Sequence, residues 1–255
     1  MSAAWNKFYE NVCSVRQALQ FHRNEECFYR GHSHTEHKLL PGLFRPSPYN
    51  VGDAETLSFE YHMFFEFRAR AKEVHSGDLT DWDILFFMQH HGVRTRLLDW
   101  TESFGVALYF ALHNYSANKS KPCIWLLNPY ALNEKYAGVR DLYSPEYLDD
   151  KQGNSYGDYL VNGARIPWDK PIALYPIRRV SRLTTQCGYF TIQGNDPQPL
   201  EQIESKNSNI ITRIDLPEDA VEGGFEFLEM AGINDYSMFP DLDGLARYLN
   251  KKYFG

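Results

Sequence analysis

Long apolar runs, closely spaced cysteines, basic excess and linker-like tracts are all scarce in this chain. No apolar run approaches the roughly 20 residues needed to span a bilayer, which argues against a membrane helix. The four cysteines, Cys13, Cys27, Cys123 and Cys187, lie far apart with no Cys-x-x-Cys. With no basic-then-apolar leader pattern at the start, a reduced cytoplasm is the expected compartment. A formal net charge of −7 excludes bulk electrostatic attraction to nucleic acid or acidic membranes. There is no Gly/Ser/Pro linker, repeat or low-complexity tract, and 255 residues at 43% hydrophobic suffice for one large core. One domain over residues 1–255 is therefore expected.

What is abundant is polar chemistry in one stretch, residues 86–112, FFMQHHGVRTRLLDWTESFGVALYFAL. Gln89, His90, His91, Arg94, Thr95, Arg96, Asp99, Trp100 and Thr101 lie between two apolar runs, more donors, acceptors and rings than a connection needs. Thr80 with Asp83 three residues on resembles a capping box, and Gly92 supplies a left-handed stop, so a helix is expected from 80 to 91 or 92. A second helix is expected from about Thr101, with Glu102 beside its positive end and Phe104, Ala107, Leu108, Ala111 and Leu112 at helical spacing. Free N–H groups at 100–103 would then suit a phosphate. The competing reading makes Arg96 and Asp99 a structural ion pair and Thr101 merely a cap.

The rest of the chain reads as support. Residues 4–19 form an amphipathic helix, and 26–31 a short strand ending in Gly31, where close backbone approach is expected. Arg30 at that strand end can fork onto a phosphate or carboxylate, or anchor the strand by a salt bridge. His32, His34, His37, His90 and His91 have no metal-site spacing and are read as hydrogen-bonding groups, so no metal is expected. Residues 54–74 read as a long helix burying Phe59, Met63, Phe64 and Phe67, with Arg68, Arg70 and Lys72 in water. Strands are expected at 122–128, 171–177, 189–193 and 210–216, and helices at 217–229 and 240–253. Residues 141–170 read as an irregular insertion, a surface excursion or a lid over a cleft. Strands and helices mix without a βαβ rhythm, which favours α+β.

Several of these segments together resemble the FRG domain, named for its Phe-x-Arg-Gly motif. They are Phe28-Tyr29-Arg30-Gly31, Gln89-His90-His91-Gly92, 95–101 (TRLLDWT), 107–111 (ALYFA), 186–191 (QCGYFT) and 239–245 (FPDLDGL). The resemblance runs over nearly the whole chain. More distantly, the pattern is similar to ADP-ribosyltransferases, which implies a mixed or antiparallel split sheet flanked by helices around a cleft for NAD. On that resemblance Arg30, Gly31, His32 and Ser33 grip the dinucleotide. Thr101, Ser103 and Tyr109, with Arg96, form the wall, and Gln186 addresses the nicotinamide ribose. Gln186 stands where a Glu-x-Glu is expected, so the negative charge falls to Asp99 or Glu102. The implied function is ADP-ribosyl transfer or NAD hydrolysis by a bacterial toxin or antiphage effector with a macromolecular acceptor and a neutralising partner protein. Two other classes stay open: a nucleotide-sensing or partner-binding module without turnover, and a nuclease using His90 or His91 with Asp99.

Overall fold

The computed structural model describes residues 2–46, 53–74, 77–117, 119–145, 148, 155–163, 166–175, 188–204 and 209–254. Its sheet is organised around one short strand, Phe28–His32 (β1), with further strands Leu97–Thr101 (β2), Cys123–Leu127 (β3), Ile172–Leu174 (β4), Gly188–Ile192 (β5) and Ile211–Asp215 (β6). The six are antiparallel in the order β4-β5-β2-β1-β3-β6. The fold is α+β.

Registers differ sharply across the sheet. β1 pairs with β3 along its whole length, from Phe28 opposite Leu127 to His32 opposite Cys123, and β2 pairs likewise with β5. Between β1 and β2 the one registered pair is Tyr29 opposite Thr101. The sheet therefore consists of two fully laddered blocks, β4-β5-β2 and β1-β3-β6, which diverge beyond one rung.

Helices cover both faces. Ala3–Ala18 (α1) and Phe104–Leu112 (α4) bury Trp5, Phe8 and Leu108 against Ile124 and Ile214, together with the later helix Val221–Met230 (α8). Gly31 makes this possible, because a β-carbon there would stand 1.8 Å from the Ala107 carbonyl oxygen and 2.7 Å from the Ala111 nitrogen. α4 thus lies directly on the β1 backbone, the close approach expected of this glycine. A second cluster joins Phe28, Trp100 and Trp125 to Tyr130 of Pro129–Ala137 (α5). A third packs Asp53–Val74 (α2), Asp81–His90 (α3) and Tyr156–Val161 (α6) over Leu97, Phe190 and Ile192. Leu200–Ile203 (α7), Asp235–Met238 (α9) and Leu242–Phe254 (α10) complete the helices. Among the described residues no helix is long and apolar enough to cross a membrane.

Three local expectations need correction. The helix expected from Thr101 begins at Phe104. Residues 97–101 are a strand, Ser103 caps α4 by accepting from the Val106 N–H (3.3 Å), and Thr101 Oγ1 accepts from Ser103 N–H (3.1 Å) ahead of the helix. The run is buried on both faces except at Asp99, so it lacks the alternation that marks a strand. Phe59 is exposed, whereas Phe64 is fully buried, because α2 turns the latter toward α6; Arg68 pairs with Asp81 at 3.0 Å and lies over Phe65. Finally, the described part of 141–170 is more than a surface excursion: Tyr156 and Leu160 are core residues of the third cluster.

Candidate functional site

The divergence of β1 and β2 opens a cleft of about 910 Å³. Its walls include Arg30, Gly31, His32 and Ser33 from β1 and its exit, Gln89 and His90 from α3, and Asp99, Trp100 and Thr101 from β2. Ala107 and Phe110 of α4, Gly188, Tyr189 and Phe190 of β5, Phe239, and Lys38, Phe44 and Arg45 from the segment after β1 close it. Residues some 70 positions apart in sequence are thereby brought together.

At the floor, Arg30 spans the gap between the strands. Its Nη1 donates to the Asp99 carbonyl oxygen, a group of the diverging strand edge, and lies 3.9 Å from Asp99 Oδ2. Its Nε donates to His32 Nε2 at 3.1 Å. Since a guanidinium can only donate, His32 Nε2 is an acceptor and its proton sits on Nδ1, which donates to the His37 carbonyl oxygen at 3.1 Å. His32 is neutral: burial, reinforced by the Arg30 charge, pushes its pKa down to about 2. Burial also lowers the Arg30 pKa, with Arg45 adding repulsion against the pull of Asp99, to about 10, which leaves it cationic at neutral pH.

The Asp99 carboxylate is 55% exposed toward the cleft and is held from one side. Leu97 N–H donates to Thr95 Oγ1 (3.1 Å), Thr95 Oγ1 donates to Gln89 Oε1 (2.5 Å), and Gln89 Nε2 donates to Asp99 Oδ2 (2.8 Å). Each donor in this relay fixes the role of the next group, so the Gln89 amide has one orientation. Asp99 Oδ1 has no hydrogen-bond partner among the described residues.

Other residues singled out from the sequence lie elsewhere. Arg96, fully buried, donates through Nε (2.6 Å) and Nη2 to Glu60 of α2, and through Nη1 to the carbonyls of Gln193 and Gly194 (3.4 Å each). Burial opposes its charge, but Glu60 and Tyr156 outweigh this and raise its pKa; the Tyr156 hydroxyl donates to the same carboxylate. Arg96 therefore holds α2 to the sheet, outside the residues that line the cleft, and is paired with Glu60 where the competing reading paired it with Asp99. Tyr109 is buried on the α4 side, donating to Asp235 at 2.8 Å. Ser103 is a cap. His91 faces a separate apolar hollow between α2 and α3. Arg94 packs on Gly42 outside the cleft, and Thr95 acts through the relay. Glu102 sits at the rim, where it accepts from the cleft residue Tyr189 at 3.0 Å. Gln186 lies outside the described residues.

Among the histidines, His34 and His37 rings are 5.2 Å apart and His32 and His37 rings 5.9 Å, so the loop does gather them. Among the described residues no three His, Cys, Asp or Glu side chains are arranged to hold a metal ion. Two contributors escaped the sequence reading. Glu60 stands 36 positions before its partner on a helix with no local signal, although a buried TRLLD arginine requires an anion. Arg45 sits in a proline-bounded loop that reads only as a connection.

Comparison with known families adds one match, and it falls on this region. Residues 25–120 match the FRG domain. The FRG match spans β1, α2, α3, β2 and α4, and so contains Arg30, Gln89, Asp99 and Gly31. The motif segments at 186–191 and 239–245 lie beyond it. No curated protein and no solved structure matches the chain.

Proposed function

We propose that the cleft binds NAD and cleaves its nicotinamide–ribose bond, passing the ADP-ribosyl group to a macromolecular acceptor or to water. The observation that carries this reading is the Arg30–Asp99 arrangement, a partly buried cation beside a carboxylate whose free Oδ1 belongs to the wall of a nucleotide-sized cleft. Departure of nicotinamide leaves positive charge on the ribose, and a fixed anion near C1′ stabilises that charge more in the transition state than in the bound dinucleotide. Asp99 is such an anion, because the relay from Thr95 through Gln89 holds it without neutralising it. Tyr189, Phe110, Phe44 and Phe239 offer aromatic faces for the nicotinamide and adenine rings. Thr101 and Ser33 supply hydroxyls within the same walls. The FRG match, together with the resemblance to ADP-ribosyltransferases, suggests a toxin or antiphage effector restrained by a neutralising partner.

The test is nicotinamide release from NAD by the folded chain, with and without a cell extract offering acceptors. Wild type is expected to turn over, and Asp99→Asn to lose on the order of 100-fold in kcat with dinucleotide affinity nearly unchanged. Binding of NAD with no release under either condition rejects turnover and leaves a nucleotide-binding module. Neither binding nor release rejects the NAD reading outright.

A further inference from the structure

We propose that Arg45 and Lys38 form an anion subsite on the wall of the cleft that takes the diphosphate of a nucleotide. This deepens the NAD reading and rests on it for the identity of the ligand, but the subsite itself is argued from charge and geometry.

Arg30, the obvious phosphate ligand, is partly committed. Of its five N–H donors, Nε serves His32 and one on Nη1 serves the Asp99 carbonyl, while its charge is set against the Asp99 carboxylate. The bridging diphosphate of a dinucleotide carries two negative charges, more than one guanidinium standing 3.9 Å from a carboxylate meets alone.

Arg45 is differently situated. Its Nε donates to the Leu40 carbonyl at 2.8 Å, which orients the side chain, and its own carbonyl accepts from Arg94 Nη1 at 3.4 Å. Among the described residues neither terminal nitrogen of Arg45 has an acceptor, nor has Lys38 Nζ, and both residues line the cleft. An anchored Nε with free terminal nitrogens is the geometry in which an arginine forks onto a phosphate. Arg45 also acts electrostatically on Arg30, His32 and His37, which sets its charge close to the floor. The carboxylate that lines this wall is Glu36, next to His37 in the chain. With Arg30 set against Asp99 and one charge offset by Glu102 at the rim, the cleft as a whole is balanced, so the positive charge an anion would meet is local to the wall that carries Arg45 and Lys38. The oxocarbenium-stabilising carboxylate and the phosphate-binding cations are then separate groups on different walls.

The experiment is calorimetric titration of the full chain with ADP, adenosine and inorganic pyrophosphate, beside nicotinamide release from NAD. ADP and pyrophosphate are expected to bind and adenosine to bind at least tenfold more weakly than ADP. Arg45→Ala should weaken ADP roughly tenfold or more and Lys38→Ala several-fold, each leaving adenosine unchanged, while Glu36→Gln should tighten ADP. Lys38 and Glu36 are exposed, so those variants carry the test should Arg45→Ala lose its melting transition. ADP and adenosine binding alike, no binding of ADP, or indifference of ADP to all three substitutions overturns the subsite. If wild type releases nicotinamide and the Arg45→Ala/Lys38→Ala double variant keeps its KM, the subsite fails and the NAD reading stands. If ADP binds through these cations and no nicotinamide is released, the subsite stands and turnover fails.

Discussion

Gly31 and Ala107 meet so closely that a β-carbon on the glycine would lie 1.8 Å from the alanine carbonyl oxygen. Both atoms belong to backbone, in a strand paired along its length with β3 and a helix buried in the core, so neither can yield cheaply. Gly31→Ala is therefore expected to destabilise the fold on the order of 3 kcal/mol, read as a lower denaturant midpoint. An unchanged midpoint would show that α4 does not rest on β1.

The buried Arg96–Glu60 pair gives a second outcome. Glu60→Gln keeps the shape but leaves an arginine charge uncompensated in the interior, at a cost of roughly 3 to 5 kcal/mol. Because Arg96 stands outside the cleft, nucleotide affinity per folded molecule should not change. A selective loss of affinity in a variant of normal stability would return Arg96 to the binding site.

The relay that ends on Asp99 can be cut at its far end. Thr95→Val removes both the acceptor for Leu97 N–H and the donor that sets the Gln89 amide, while leaving every cleft-lining side chain intact. If Asp99 must be held in place, kcat for nicotinamide release should fall roughly tenfold with KM little altered. Gln89→Leu should match it, and the two together should be no worse than either alone. Additive losses would show two independent roles.

Stability should also report on His32. Its folded pKa, pushed down by burial and by Arg30 to about 2, lies below the ordinary histidine value, so the unfolded chain binds the extra proton. This contribution is fully present above about pH 6.5 and declines by on the order of 1 kcal/mol for each pH unit below it. His37 and His113 are lowered too, first by burial, and act with the same sign. His32→Asn should make the acid limb of a stability-against-pH curve shallower; an identical slope would mean that His32 is solvated.

Local signals were legible in the sequence, and long-range ones were not. The Thr80–Asp83 capping box forms as read, with Asp83 Oδ2 accepting from Thr80 N–H at 2.9 Å, because its groups are three residues apart. Gly31 was identifiable as a site of close approach from its place at a strand end. Residues 97–101 read as a polar wall segment between two helices, not as a strand, because burial on both faces erases periodicity, and the same reading misplaces the start of α4. Arg30 and Asp99 were recognisable as chemistry-bearing residues, but whether they meet depends on a strand order that no local pattern encodes. The same holds for Glu60, and for Arg45, whose significance arises only once Arg30 is seen to be shared with His32 and Asp99.

The lone rung between Tyr29 and Thr101 has a mechanical consequence. The two ladders are tied at their seam by that rung, by the Arg30 bond to the Asp99 carbonyl and by Phe28 packed on Tyr189, with ring centroids 4.5 Å apart. Replacing Arg30 therefore removes a tie between the two halves of the sheet as well as a charge from the floor of the cleft.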